Sequence, residues 1–222
     1  MAHKLEELPL FPLDAVLFPY AALRLHIFEE RYREMVRECL EYERPFGIVL
    51  IRHGPTSSGD VEPYMVGTAV RIVQVHHYDD GGMDLHVQGE RRFRIRELDE
   101  SRSFLVGKVE PVIELEIEET PRSRDLLLRA REEFENLIHK LFARQELSVK
   151  VQFPSDPVVL SFTIANLLPM ENLEKQRLLE TTDTLERVEE LIPILHTQNL
   201  EAAPPAYYRV GANELKEWQS PN

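Results

Sequence analysis

Three prolines interrupt the apolar stretch LPLFPLDAVLFP, which spans residues 8–19 and limits how this chain can begin to fold. Proline has no backbone N–H and clashes with a preceding helical turn. Pro9, Pro12 and Pro19 therefore exclude a helix and restrict strands to edge or terminal ladder positions. The pattern predicts two short buried extended segments joined by a turn at 13–15.

The same stretch is not typical of an export signal or a membrane anchor. Glu6 and Glu7 precede it, where a signal peptide carries basic residues, and the prolines break its apolar run. A membrane-spanning helix needs about 20 consecutive apolar residues, and no window of the sequence supplies them.

The single cysteine, Cys39, cannot form an internal disulfide, so we expect a reducing compartment, most simply the cytoplasm.

The charge balance argues against a polyanionic partner. The sequence has 39 Asp and Glu against 26 Lys and Arg, which gives a formal net charge of −13. Such a chain repels phosphate backbones and anionic lipid surfaces overall, so we do not expect it to bind nucleic acid or membranes.

Hydrophobic patterning predicts an α+β protein whose residues 1–117 form a β-rich subdomain. An amphipathic helix is predicted over 28–43, with an apolar stripe from Phe28 to Leu40 on which Cys39 is a core residue rather than a reactive thiol. Buried or alternating strands are predicted at 46–51, 66–78, 83–98 and 103–115, with a hairpin turn in DDGG (79–82) and a bulge at Gly89. These strands are expected to curl into a partly closed, mostly antiparallel barrel with the helix inserted.

Residue usage changes near position 118, and residues 118–200 are predicted to form a helical bundle. Helices are expected at 122–145, 156–169 and 171–182, and a fourth begins with a capping-box-like Asp183. Pro193 should kink or shorten this last helix. Residues 201–222 are expected to be a C-terminal extension.

The stretch LPLFPLDAVLFPYAALRLHIFEERYREMV resembles the opening of the Lon N-terminal domain, the substrate-binding part of the Lon ATP-dependent protease. The likeness continues in order through FGIVL, VGTAVRI, LHVQGERRFRI, LVGKVEP and DPVVLSFTIANLLP, and ends in EKQRLLETTDTLERVEELIPIL. The resemblance implies a PUA-like β domain followed by helices. It also implies a non-catalytic protein that binds unfolded or extended polypeptide clients without a cofactor, and by analogy an adaptor for a separate protease.

The sequence lacks the catalytic motifs of the Lon protease. The phosphate loop G-x-x-x-x-G-K-[ST] does not occur, and the nearest Gly-Lys pair, Gly107-Lys108, is followed by Val109 in a predicted strand. Ser148 and Lys150 are close in sequence, but nothing beside them suggests an oxyanion hole, so we interpret the pair as coincidence. We therefore expect a protein that is not an enzyme and does not use ATP.

The predicted hairpin places two histidines and two aspartates at its tip. If the turn centres on Gly81-Gly82, His77 lies opposite His86 and Asp79 opposite Asp84, and all four side chains share one face. Imidazole and carboxylate groups in this arrangement are Zn²⁺ ligands, which would fit a metal-dependent hydrolase. The favoured interpretation is a solvated hairpin tip that binds no metal.

A second alternative is an RNA-binding module, because some PUA-like folds bind RNA. Arg92, Arg94 and Arg96 alternate along a predicted strand and would form a basic row. The row lacks interleaved stacking aromatic residues, and acidic neighbours such as Glu90 and Glu97 could pair with it. A solvated strand face is the favoured interpretation.

Four apolar or aromatic residues in or beside predicted loops are the candidate protein-binding site: Tyr20, Tyr64, Met65 and Phe104. Such side chains make large contacts with low specificity, which suits an unfolded client, but packing over the barrel ends would explain them equally well. His26 is expected to be a hydrogen-bonded structural residue. The oligomeric state and the identity of the client stay open.

Overall fold

The computed structural model describes residues 5–53, 61–143 and 153–202. In this part of the chain, strands precede helices apart from one inserted helix. The order is β1 (Glu6–Leu13), β2 (Ala22–Ile27), α1 (Glu30–Glu41), β3 (Phe46–His53), β4 (Glu62–Pro63), β5 (Val66–His77), β6 (Met83–Asp99), β7 (Val106–Pro111), α2 (Pro121–Ala143), α3 (Pro157–Leu167), α4 (Asn172–Glu180) and α5 (Thr184–Ala202). The α+β prediction is confirmed.

The strand β1 closes the sheet into a partial barrel. Its first half, Glu6–Pro9, pairs antiparallel with β7, and its second half, from Leu10 to Leu13, pairs parallel with β3. The remaining neighbours run in the order β7, β6, β5, β3, so the chain of pairings returns to β1. Each half of β1 pairs with only one neighbouring strand. Some of its N–H groups therefore have no strand partner, so each half tolerates a proline, which lacks the N–H. The partly closed barrel with an inserted helix is confirmed.

The N-terminal region departs from the sequence-based expectations at β2 and at Phe28. The second extended segment, 16–19, joins no ladder, although Leu17 and Phe18 are buried as expected. The strand β2, which pairs along β6 from Ala22 to Ile27, was not predicted. Helix α1 begins at Glu30, so Phe28 lies before it and is 63% exposed instead of joining the apolar stripe.

Helix α1 packs against the barrel through the middle of its predicted stripe, whereas Leu40 at the end of the stripe is 37% exposed. Tyr32, Met35, Val36 and Cys39 are buried in one cluster with residues of β2, β5 and β6, among them Leu25, Val70 and Leu85. The helix therefore covers one face of the part of the sheet that β2, β5 and β6 form.

Two of the helices after β7, α3 and α5, begin at aspartate caps, of which Asp183 was expected. Asp156 accepts hydrogen bonds from the N–H groups of Val158 and Val159, and Asp183 accepts from Leu185 and Glu186. Of the two effects expected of Pro193, a kink or a shortened helix, the shortening does not occur, because α5 continues through it to Ala202. None of the helices in the described ranges is long and apolar enough to cross a membrane. The pair Ser148 and Lys150 lies outside the described residues.

The helices pack directly on the barrel. Phe18 and Val66 belong to the same buried cluster as Phe162, Leu178 and Leu191 of the helices. The side-chain amide of Gln176 on α4 donates to the main-chain oxygen of Val66 at 3.0 Å. The predicted change of residue usage near 118 falls in the connector between Pro111 of β7 and Pro121 of α2.

Candidate functional site

The four residues predicted to bind protein differ in exposure. Tyr20 is 48% and Met65 is 42% exposed, whereas Tyr64 is half-buried. Phe104 is only 3% exposed, and the guanidinium of Arg102 lies 4.2 Å from its ring centroid. The ring of Phe104 is buried because it completes the cluster beneath α1.

The two exposed members do not form one patch. The N–H of Tyr20 donates to the oxygen of Gly89, and the oxygen of Met65 accepts from the N–H of Ile95. Gly89 and Ile95 are six residues apart on β6, which corresponds to roughly 20 Å along a strand. Tyr20 and Met65 therefore belong to separate surfaces.

The predicted register of the β5–β6 hairpin is wrong. Tyr78 donates to the oxygen of Gly82 at 2.9 Å and Gly81 has φ of 83°, so the loop contains three residues and ends in a left-handed glycine. His77 consequently pairs with Met83, and His86 pairs with Gln74. His77 then lies on the opposite face from His86 and Asp84, and no group of three potential ligands is found among the described residues.

A different cluster, which no local sequence pattern predicted, forms around Asp84. The Nδ1 atom of His26 lies 2.6 Å from one carboxylate oxygen of Asp84, and the hydroxyl of Tyr78 donates to the other at 2.6 Å. These two hydrogen bonds, with the one from Tyr78 the larger cause, hold the pKa of Asp84 below its usual range. His26 is hydrogen-bonded, as expected.

Exposed aromatic rings surround this carboxylate. The ring of His76 meets that of Tyr78 edge-on at 4.8 Å between centroids, and His26 stacks on Phe28 at 6.0 Å. Tyr78 is 42% exposed. We call His26, Phe28, His76, Tyr78 and Asp84 the Asp84 cluster. A carboxylate buried among aromatic rings would indicate a catalytic role. An exposed carboxylate among aromatic rings, as here, is suited to contact a cationic side chain.

The basic row predicted on β6 is not a continuous surface. Arg92 is only 3% exposed, which contradicts the expectation of a solvated face. Arg96 pairs with Glu110 in solvent. An RNA-binding strip would need Arg92 at the surface, so the row cannot serve that purpose as it stands.

Arg92 instead joins the barrel to the helices. Its guanidinium donates to the main-chain oxygens of Leu179 and Thr181 at 2.7 and 2.6 Å, and it forms an ion pair with Glu114. Arg187 of α5 also donates to the oxygen of Thr181, and pairs with Glu114 at 3.1 Å. Burial lowers the pKa of Arg92 to about 10, although Glu114 opposes the shift.

A groove opens between the end of α1 and β5. It has a volume of about 580 Å³, and its apolar lining includes Leu40, Pro45 and Ile72. Arg44 and Arg71 lie at its rim, where Arg71 pairs with Glu90 at 3.0 Å. Leu40 is 37% exposed, so the groove presents apolar surface to solvent between charged side chains. This is the size and character of a pocket for an apolar group.

A family model covers nearly all of the chain. The model of the ATP-dependent protease La (LON) substrate-binding domain matches residues 7–197.

Lon proteases are among the curated relatives. The Lon protease of Escherichia coli (strain K12) is 28% identical over 197 residues, which are 86% of this chain and 25% of that protein. The Lon protease of Syntrophus aciditrophicus (strain SB) is 30% identical over 206 residues, which are 87% of this chain and 25% of that protein. The chain thus spans about a quarter of the length of these relatives.

Two solved structures have the same fold over most of this chain. The crystal structure of a Lon N-terminal domain protein from Xanthomonas campestris has a TM-score of 0.60 and 29% identity, over 85% of this chain and 98% of that one. The N-terminal domain of the Mycobacterium avium complex Lon protease has a TM-score of 0.63 and 22% identity, over 86% and 98% of the two chains. The second likeness shows the fold alone.

Proposed function

The chain belongs to the family of the ATP-dependent protease La (LON) substrate-binding domain, and on this premise we propose that it is a non-catalytic module that binds unfolded or extended polypeptide. The match of the family model to residues 7–197 is the observation that carries the proposal. Substrate recognition needs no cofactor, because its free energy comes from burying client side chains and pairing client backbone.

The surface of the barrel supports this function. The barrel has its own buried core, yet apolar and aromatic side chains are also exposed on its surface. The exposed residues are Tyr20 at 48%, Phe28 at 63%, Tyr42 at 64%, Val73 at 56% and Tyr78 at 42%. Two of these, Phe28 and Tyr78, belong to the Asp84 cluster. Aromatic and aliphatic groups of this kind provide contact area for clients of varied sequence.

We further propose that the chain delivers bound clients to a separate protease in the cytoplasm. The relatives that it matches are named as proteases, and the matched quarter of their length corresponds to the substrate-binding domain model. A module of this kind would act as an adaptor in protein quality control.

Fluorescence anisotropy with one polypeptide in two states tests the proposed function. Labelled ribonuclease A, either native or reduced and alkylated with iodoacetamide, is titrated with the purified chain. Because the two probes share one sequence, a difference between them reports on folding rather than on composition. Saturable binding of the unfolded probe alone supports the proposal, and equal behaviour of the two probes contradicts it.

A further inference from the structure

We propose that an extended client segment adds as a strand to the free edge of β5, at Gln74–His77, and places an apolar side chain in the groove beside α1. This inference rests on the proposed function and assigns it a site. The client segment that fits this edge is basic.

The outer edge of β5 is unpaired over its second half. On one side β5 pairs with β6 as far as His77. On the other side β3 pairs only with Thr68, Ala69 and Val70, because Phe46 is the first residue of β3. Within the described ranges no other strand continues that side of the sheet. The backbone beyond Val70 therefore offers hydrogen-bonding groups to a further strand.

The hairpin geometry shows which groups face outward. The N–H of Tyr78 donates across the hairpin to Gly82, and His76 and Gln74 are registered opposite Asp84 and His86. Backbone polar groups of alternate residues point to opposite sides of a strand. The N–H and C=O groups of Val75 and His77 consequently point away from β6. An extended peptide is the ligand whose donors and acceptors have the same spacing.

The groove continues this edge at its inner end. Ile72 lies opposite Val87, whose side chain is buried under α1, so Ile72 points to the helix-covered face. Val75 lies opposite the buried Leu85 and shares that face. A strand placed beside Val75 would direct alternate side chains toward Ile72 and Leu40, where the volume of about 580 Å³ accommodates an apolar group.

A bulge separates the groove from the free edge. Ile72 pairs with Val87 and Gln74 with His86, which leaves Val73 as an extra residue on β5. Bulges twist exposed edges and hinder indiscriminate pairing with other sheets. The added strand is therefore short, and the side chain in the groove must contribute to its affinity.

Charge selects the occupant. Asp79, Asp80 and Asp84 lie at the hairpin end of the edge, and Glu43 lies at the groove, where Arg44 and Arg71 are already paired with Glu38 and Glu90. A second copy of the chain would bring another net charge of −13 to the same edge. Like charges disfavour that pairing, whereas a segment with lysine or arginine among apolar residues is attracted.

Two short synthetic peptides test strand addition on the unaltered protein. In the first, lysine alternates with valine and leucine, and in the second the same sequence carries N-methyl groups on alternate backbone amides. N-methylation removes donors needed for strand pairing but keeps every side chain. We expect the methylated peptide to bind at least about tenfold more weakly, because it loses several backbone hydrogen bonds. Equal affinities would overturn the proposal.

Two substitutions at one position locate the site. Val75→Pro removes an N–H that points away from β6, so the β5–β6 ladder keeps its hydrogen bonds. Val75→Thr keeps both the N–H and the β-branched shape and is the matched control. With folding checked by circular dichroism, we expect Val75→Pro to lose about tenfold in affinity for the first peptide and Val75→Thr to retain it.

The unfolded ribonuclease A probe separates the site from the function. If unfolded ribonuclease A binds the wild type and Val75→Pro equally, the edge is not the site, although the proposed function stands. If unfolded ribonuclease A binds neither the wild type nor Val75→Pro, and neither peptide binds the wild type, both proposals are contradicted. A peptide in which glutamate replaces lysine should bind at least about tenfold more weakly than the first, and equal binding would contradict the choice of a basic client.

Discussion

The guanidinium of Arg92 on β6 donates a hydrogen bond of 2.6 Å to the main-chain oxygen of Thr181, 89 positions further along the chain. This contact joins the barrel to the turn between α4 and α5. Glu114, in the connector after β7, forms ion pairs with both Arg92 and Arg187. The relative position of strands and helices thus depends on a polar group, as well as on the apolar cluster around Phe162.

Arg92→Met is expected to destabilise the fold strongly. It leaves the oxygen of Leu179 without its Arg92 donor and removes one cation from Glu114, so we expect a loss of about 3 kcal/mol in the free energy of unfolding. Urea denaturation measures the change. The control is Arg96→Met, where the side chain is 51% exposed and pairs with Glu110 at the surface, and there we expect a loss below about 1 kcal/mol. Equal losses in the two variants would show that the junction is not held by Arg92.

Cys39 is expected to be unreactive in the folded protein. Burial raises the pKa of its thiol from 9.0 to about 11, and the thiolate is the reactive species. Reaction with a disulfide reagent at pH 8 should be slow for the native chain and fast in denaturant. The thiol ionises at a lower pH in the unfolded chain than in the folded one. The contribution of Cys39 to the free energy of unfolding should therefore fall as pH rises from 9 toward 11. Rapid labelling without denaturant would contradict the buried position.

The carboxyl of Asp84 should titrate below its ordinary pKa of 3.8. Its hydrogen bond from Tyr78 is the largest cause, so Tyr78→Phe should raise the pKa toward that value. A group with a lowered folded pKa contributes stability above its unfolded pKa and loses it as pH falls through the folded one. The pKa of Asp84 is measured in the wild type and in Tyr78→Phe by following the NMR shift of its side-chain carboxyl carbon with pH. Identical titration curves would contradict the hydrogen bond from Tyr78 to Asp84.

The groove beside α1 should contribute to client affinity. Leu40→Ser removes apolar surface from the lining, and we expect unfolded ribonuclease A to bind about fivefold more weakly. The control is Leu173→Ser, which alters an exposed leucine on helix α4, 65% accessible, away from the barrel edge. Anisotropy titrations compare the two variants with the wild type. A loss at Leu173 as large as that at Leu40 would show that exposed leucines act without regard to position.

Local sequence patterns predicted much of this fold. All five helices were expected, and the capping-box-like Asp183 marked the start of α5. Helix α3 is less regular in its pattern, because it buries the consecutive residues Leu160, Ser161 and Phe162. The strand β2 escaped notice because ALRLHI is short and follows a turn at Tyr20, whose φ is 67°. Gly89 indicated a bulge, and the register of β5 and β6 does shift beside it, with Glu90 as the extra residue.

The candidate site was harder to predict, because it depends on register and on distant contacts. The three-residue loop and the bulge at Val73 changed which residues face His86, so the predicted metal face does not form. The Asp84 cluster needs β2, which supplies His26. Arg92 looked like a solvated strand residue, since its partners at 179, 181 and 114 are far away in sequence. A charged residue on a strand gives no local sign that it is buried.

Hydrogen–deuterium exchange of the full chain, with and without unfolded ribonuclease A, tests the central claim most directly. The outward N–H groups of Val75 and His77 are free to exchange in the unbound protein and become hydrogen-bonded when a strand is added. We predict slower exchange in peptides that cover 71–78 with the unfolded probe, and no change with native ribonuclease A. Unchanged exchange throughout the sheet with the unfolded probe would contradict polypeptide recognition at this edge.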